Sequence, residues 1–166
     1  MEAICVLTNK QNPKIEGFIL FSMMKNNIMK IDINVKGLEP GYHGFHIHNK
    51  GNLLEGCRSL CSHFNPDNTQ HGDRKNKKKD RHAGDLGNIF VNKKGVCKTT
   101  IYDHVIKLKG KYNIIGRSVV IHDKKDDLGL GGLDKNGIIQ NKKIYLESIK
   151  TGNAGHRIAC GVIGIY

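Results

Sequence analysis

The stretch Gly44-Phe45-His46-Ile47-His48 reads as part of a β-strand. Side chains alternate faces along a strand, so His46 and His48 point one way and Phe45 and Ile47 the other. One face suits an apolar core, and the other presents two imidazoles at metal-chelating spacing. The pair alone does not separate a metal site from a merely polar strand face. His43 falls on the face opposite His46 and His48 and reads as structural. Outward from this stretch, short β-branched runs punctuated by Gly, Asn and Asp recur, with no 3.6-residue apolar periodicity over any ten-residue window. Strands are expected over residues 3–9, 15–22, 28–36, 41–48, 85–92, 96–103, 117–122 and 158–165. Turn-like Lys10-Gln11-Asn12-Pro13, Lys25-Asn26-Asn27 and Gly37-Leu38-Glu39-Pro40-Gly41 separate the first four. The rhythm predicts an all-β chain, an eight-stranded Greek-key barrel or sandwich.

A chain of 166 residues fits one domain, 1–166, with enough length to bury most of its apolar surface. Hydrophobic content of 38%, 20 Gly and 3 Pro, with no apolar run near the ~20 residues of a membrane span, exclude a helical membrane protein and a low-complexity chain. Lys+Arg 27 against Asp+Glu 15 gives a net charge of +12. That balance biases the protein towards anionic partners: nucleic acid, acidic surfaces, or a small anion drawn in by the field. Met1-Glu2-Ala3-Ile4 lacks a secretory pattern, so a cytoplasmic chain is the expectation. Cys5, Cys57, Cys61, Cys97 and Cys160 are odd in number and too sparse for a disulfide scaffold. Most are expected to be reduced.

Two stretches break the strand rhythm, residues 49–84 and 123–157. Loops of this length inside a compact domain are uncommon and are functional or disordered. Disorder suits Arg74-Lys75-Asn76-Lys77-Lys78-Lys79-Asp80-Arg81 best. Against it, the first stretch and its continuation gather His63, His71, His82 and Asp85, and His122 closes a later strand. Imidazole suits zinc and copper, and there is too little carboxylate for a calcium or magnesium cage. Three His and one Asp complete a tetrahedral zinc site. His46, His48 and His122 then remain for a second metal, one donor short unless a doubly deprotonated imidazole serves both ions.

These residues resemble the copper/zinc superoxide dismutases over essentially the whole chain. The resemblance is carried by Gly44-Phe45-His46-Ile47-His48, Gly56-Cys57, His63-Phe64-Asn65-Pro66 and Arg81-His82-Ala83-Gly84-Asp85-Leu86-Gly87-Asn88. It continues through Ile115-Gly116-Arg117, His122, Asp126-Asp127-Leu128-Gly129, Gly131-Gly132, Lys150-Thr151-Gly152-Asn153-Ala154-Gly155, Arg157 and Ala159-Cys160-Gly161-Val162-Ile163-Gly164. It implies a flattened eight-stranded Greek-key barrel, a sandwich architecture for which this family is itself a standard example. It implies one copper and one zinc per subunit, copper on His46, His48, His63 and His122, and zinc on His63, His71, His82 and Asp85, with His63 the bridge. Asp126 matches the carboxylate that fixes one ring from each metal. Cys57 and Cys160 match an intrasubunit disulfide.

The implied activity is antioxidant: superoxide is disproportionated to dioxygen and hydrogen peroxide by alternating reduction and reoxidation of copper. His63 takes a proton when it releases copper and passes it to the nascent peroxide. Arg157 orients the anion, Thr151 narrows the channel, and Lys150 and Glu147 shape the guiding field. Steering raises on-rates by ~10 to 10³, an effect for which this family is a standard case. A homodimer and a copper chaperone are the implied protein partners, and the net charge adds non-specific polyanion binding.

The chain departs from the family in Leu133 to Tyr145, an inserted stretch, and in Leu146, where an acidic residue is common, so the entrance is expected to be more positive. The loop between His71 and His82 is lengthened and loaded with Lys, and Lys50 occupies a dimer-contact region usually apolar. Ile114-Ile115-Gly116 and residues 161–165 remain compatible with pairing. Cys61, four residues from Cys57 and two from His63, is placed to mispair or intercept metal. His104 and His156 read as surface residues. Two rival readings are an inactive metal-binding decoy and a zinc-stabilised nucleic-acid or polyanion binder using Cys57-x3-Cys61-x-His63 and the run Arg74 to Arg81. Heavy use of Lys, Asn and Ile suggests an AT-rich genome, such as that of a large DNA virus acting in a host cytoplasm.

Overall fold

The structure is a computed structural model that describes residues 1–7 and 13–166. The alternation seen in the sequence becomes a sheet. In β3 (Met29–Lys36), Met29, Ile31, Ile33 and Val35 are buried while Lys30, Asp32, Asn34 and Lys36 face outward. β1 (Glu2–Leu7) and β2 (Glu16–Met23) pair with antiparallel register Glu2↔Ser22 to Leu7↔Gly17. β4 (Gly41–His48), β5 (Asp85–Val91), β6 (Val96–Asp103), β7 (Ser118–His122) and β8 (Arg157–Ile165) complete eight strands. Their order is β5-β4-β7-β8-β1-β2-β3-β6, every pairing antiparallel. The edge strands β5 and β6 are consecutive in the chain, joined by a turn closed by Asn92 N–H on Val96 O (2.9 Å), so the sheet curls into a nearly closed barrel. The observed strand ends lie within two residues of the expected ones. Thr8 and Asn9, placed in the first strand, and the turn at Lys10-Gln11-Asn12 lie outside the described residues.

Phe45 and Ile47 join the core with Ile19, Phe21, Ile31 and Ile89, while His46 and His48 turn to the opposite face. That face is buried too, because both long stretches fold over it. Neither is disordered. Arg81, read as part of an exposed basic run, is fully buried: it pairs with Asp103 (2.5 Å) and donates to the carbonyls of His82, Ala83 and Arg74. In a dry site that guanidinium needs every donor satisfied, which pins the first loop to the end of β6.

The second stretch contains a helix where none was expected, α1 (Lys142–Thr151). Its N-cap Asn141 accepts from Ile144 N–H (3.1 Å), and Gly152 ends it in left-handed conformation at φ 69°. The apolar periodicity is absent for a physical reason. Ile144 and Leu146 stay exposed, and the fully buried residue is polar Ser148, whose hydroxyl donates to Asp127 Oδ1 (2.6 Å) and accepts from Gly131 N–H (2.9 Å). The inserted stretch is ordered by Asp134, whose carboxylate accepts from Asn136 N–H, Ile138 N–H and Gln140 Nε2. The rest of the scaffold agrees with the sequence reading: His43 is buried between His122 O (2.7 Å) and Glu39 O (2.8 Å), and His104 and His156 are exposed.

Candidate metal centre

Strand β4 pairs with β7 through His46↔Val120 and His48↔Ser118, and β7 ends at His122. The first long loop returns against β4 through the bridge His48↔His63. Rings from four chain positions therefore converge: His63 lies 4.1 Å from His46 and 5.0 Å from His48 between centroids, and His122 lies 4.9 Å from His46. His46, His48, His63 and His122 form one group whose donor atoms lie within 4.8 Å of one another, and His63, His71, His82 and Asp85 form a second. His63 belongs to both. Cys61, whose thiol is exposed, belongs to neither.

The donor geometry suits metals. Asp85 Oδ1 receives Nδ1 of His63, His71 and His82 at 2.9, 3.0 and 3.1 Å. Four donors on a tetrahedral zinc with bonds of ~2.0 Å stand about 3.3 Å apart, so this cluster needs only a slight expansion to hold the ion. Among the described residues, His46 Nδ1, His48 Nε2, His71 Nδ1 and His122 Nε2 are buried without a hydrogen-bond partner. Buried nitrogens of that kind are costly unless something occupies their lone pairs. His71 Nδ1 sits within ion-pair distance of Asp85 but lacks hydrogen-bond geometry, as expected of two atoms that both point at a third.

The opposite ring edges are held. Asp126, fully buried, reaches His46 Nε2 (2.6 Å) and His71 Nε2 (2.8 Å), one ring from each group. It is held in turn by Asn88, whose amide donates to Asp126 O (2.9 Å) and accepts from Asp126 N–H (2.8 Å). Gly152 lies against this junction, where a Cβ would run into the Asp126 carboxylate and His71 Nε2. His48 Nδ1 donates to Cys61 O (2.8 Å), which leaves Nε2 as the donor atom.

Electrostatics follow from burial. Burial, then the neighbouring His63, pulls His122 down to about 4, and burial holds His46, His48 and His63 below the usual histidine range. These rings are neutral at pH 7, the state a metal ligand needs. Burial opposes charge on His71 and Asp85 as well, but the Asp126 and Asp85 carboxylates beside His71, and the three rings around Asp85, outweigh it and favour the charged forms.

A cavity of about 470 Å³ opens beside His48, His63 and His122 and is walled by Lys124, Glu147, Lys150, Thr151, Asn153 and Arg157. Arg157 is clamped by carbonyls: Nη1 donates to Cys57 O (2.6 Å) and Arg58 O (3.3 Å), and Nη2 to Cys61 O (2.6 Å). Cys57 is disulfide-bonded to Cys160, tying that loop to β8. Cys57 therefore offers no thiolate, so the pattern Cys57-x3-Cys61-x-His63 is not a zinc set. Thr151 Oγ1 donates to Glu147 Oε1 (2.8 Å), joining two residues of the cavity wall. The sequence reading did not single out Lys124 or the carbonyls that clamp Arg157. Lys124 carried a signal in its nearness to His122, but backbone acceptors have no sequence signature.

The family model described as copper/zinc superoxide dismutase matches residues 15–163. The superoxide dismutase [Cu-Zn] of Paramecium bursaria Chlorella virus 1 is 48% identical, covering 90% of this chain and 73% of the relative. Superoxide dismutase [Cu-Zn] A of Xenopus laevis is 44% identical, covering 99% and 97%, and an extracellular counterpart in Drosophila melanogaster is 44% identical, covering 93% and 78%. The crystal structure of the clock protein EA4 superposes with a TM-score of 0.86 at 41% identity, over 99% of this chain and 94% of that one. With two donor groups sharing one histidine already assembled by the fold, the chain belongs to the copper/zinc superoxide dismutase family.

Proposed function

We propose that this protein converts two superoxide anions and two protons to dioxygen and hydrogen peroxide. The observation that carries the reading is His63, shared by two four-donor groups at the floor of a cavity walled by Lys124, Lys150 and Arg157. Copper on His46, His48, His63 and His122 supplies the one-electron redox change, and zinc on His63, His71, His82 and Asp85 fixes the shared ring without changing its own redox state. The chain's residues do the rest. His63 Nδ1 faces Asp85, leaving Nε2 to take up a proton and deliver it to the reduced oxygen species beside it. Arg157, held by three carbonyls, presents its guanidinium to the anion at a fixed place. Lys124 and Lys150 attract the anion, Glu147 tempers them, and Thr151 narrows the opening. Asp126 keeps His46 and His71 oriented together.

The working unit in this reading is one domain of 166 residues that pairs as a homodimer in the cytoplasm, a host's if the source is viral, with copper delivered by a chaperone. Support for pairing comes from the exposed apolar side chains Val6 on β1 and Ile165 and Tyr166 at the end of β8. The complete donor set and the clamped Arg157 argue against a decoy. The test is superoxide-dependent turnover of protein loaded with one copper and one zinc. Activity is expected, and its absence with both metals bound overturns the reading.

A further inference from the structure

The net charge of +12 is not spent mainly on the cavity. Lysines concentrate at a second place, the tip of the first long loop, and the fold adds to it from elsewhere. Arg74, Lys75, Lys77, Lys78 and Lys79 lie in the turn and 3-10 segment preceding buried Arg81, and all four lysines are exposed. Lys111, some thirty residues later, joins them through Tyr112, with Lys109 two residues before it in the chain. Lys78 Nζ lies 5.2 Å from the centre of that ring and Lys111 Nζ 5.8 Å. The patch is anchored. Tyr112 donates to Asp67 Oδ2 (2.8 Å), and Arg74 Nη1 donates to Tyr102 O (2.5 Å). Seven cations stand against Asp67, Asp73 and Asp80, a local excess of four charges. Among the described residues, Lys111 alone of the seven makes an ion pair, with Asp67. None of the seven lines the cavity beside His63.

From this juxtaposition we infer that the patch formed by Arg74 to Lys79 with Lys109 and Lys111 binds the phosphate backbone of duplex nucleic acid without reading its sequence. Six of the seven cations are lysines, point charges that reward charge density rather than a particular planar partner. A duplex offers one phosphate charge per ~1.7 Å of its axis, and neutralising those charges releases counterions. Nothing in the patch reads bases. The 3-10 turn Lys78–Asp80 is too short to enter a groove, and Tyr112, half-buried and bonded to Asp67, is overlain by lysines rather than offered for stacking. The patch is separate from the cavity, so binding leaves turnover intact.

The experiment measures affinity of the metal-loaded protein for a random-sequence 20-base-pair DNA duplex across salt concentration, with superoxide turnover followed in parallel. About four to six phosphate contacts give a slope of log K against log[salt] near −4 to −5. Lys77→Gln/Lys78→Gln/Lys79→Gln should flatten that slope by about 2 to 3, and Lys109→Gln/Lys111→Gln by about 1 to 2, with turnover unchanged. Lys93→Gln/Lys94→Gln, in the turn at the other end of β6, removes charge away from the patch and should change the slope by less than about 1. Equal losses from the control and the triple variant, no duplex binding at low salt, or retention on a sulfated polysaccharide alone would each overturn the inference. Loss of turnover in the triple variant would also overturn it, by tying the patch to the catalytic site.

Discussion

Cys61 occupies a backbone conformation that cysteine should not choose. Its φ of 62° and ψ of −155° fall in a region that is essentially glycine's, where a Cβ costs ~1–3 kcal/mol. The conformation serves the site. It aims Cys61 O at both His48 Nδ1 (2.8 Å) and Arg157 Nη2 (2.6 Å), so one carbonyl orients a metal-group ring and the cavity guanidinium together. Cys61→Gly should remove the strain and keep the carbonyl. Glycine's extra freedom in the unfolded chain returns ~0.5–1 kcal/mol, leaving a net stabilisation of about 1 kcal/mol. For a chain of this size that corresponds to a rise of roughly 2–4 °C in Tm. The assay is thermal unfolding of the metal-free, disulfide-intact protein by circular dichroism, with Cys61→Ala as the comparison because it removes the thiol but keeps the Cβ. Superoxide turnover of metal-loaded Cys61→Gly should match the parent. A gain in Cys61→Ala equal to that in Cys61→Gly would assign the effect to the thiol, and a lower Tm for Cys61→Gly would refute the strain argument.

Replacing Asp126 with Ala frees one ring from each donor group and should weaken binding of both metals by ~10–100-fold, read by competition with chelators, while the barrel's far-ultraviolet spectrum persists. Lys150→Gln should lower kcat/KM and flatten its dependence on ionic strength, and Glu147→Gln should raise it; stopped-flow turnover across salt concentrations checks both signs. The metal-free protein should lose stability as pH falls from 6.5 towards 4. His122, near 4 in the fold, and His46 and His48, held by burial well below the usual histidine range, are neutral when folded but take up protons when unfolded, so stability is present above 6.5 and lost below it. His122 alone contributes about 3 kcal/mol to that loss, and denaturant unfolding at pH 7 and pH 4.5 measures it. His71, raised to about 10, acts oppositely: its contribution is complete below 6.5 and fades as pH climbs towards 10.

The barrel was legible because strand alternation is local. Phe45 and Ile47 against His46 and His48 need only the period of two, and the same signal marked each of the other strands to within two residues. The helix α1 was not, because its stability comes from Asn141, Gly152 and the buried hydroxyl of Ser148 rather than from an apolar stripe. Arg81 was misread for a similar reason. A guanidinium buried against Asp103 and three carbonyls is indistinguishable in sequence from the solvated lysines beside it.

By itself the sequence determined the strand faces, the inventory of seven metal donors and, through its resemblance, their division into two sets with Arg157 nearby. The resemblance also implied His63 as the shared ring and Asp126 behind both groups, whereas only the tertiary structure decided that Cys61 O joins His48 to Arg157. It also decided that the positive charge gathers at the loop tip with Lys109 and Lys111 instead of spreading evenly. The physical reason is range. Alternation and turn chemistry act between neighbours, whereas convergence depends on the register of β4 with β7 and on buried polar contacts between segments tens of residues apart, which leave no periodic trace in the chain.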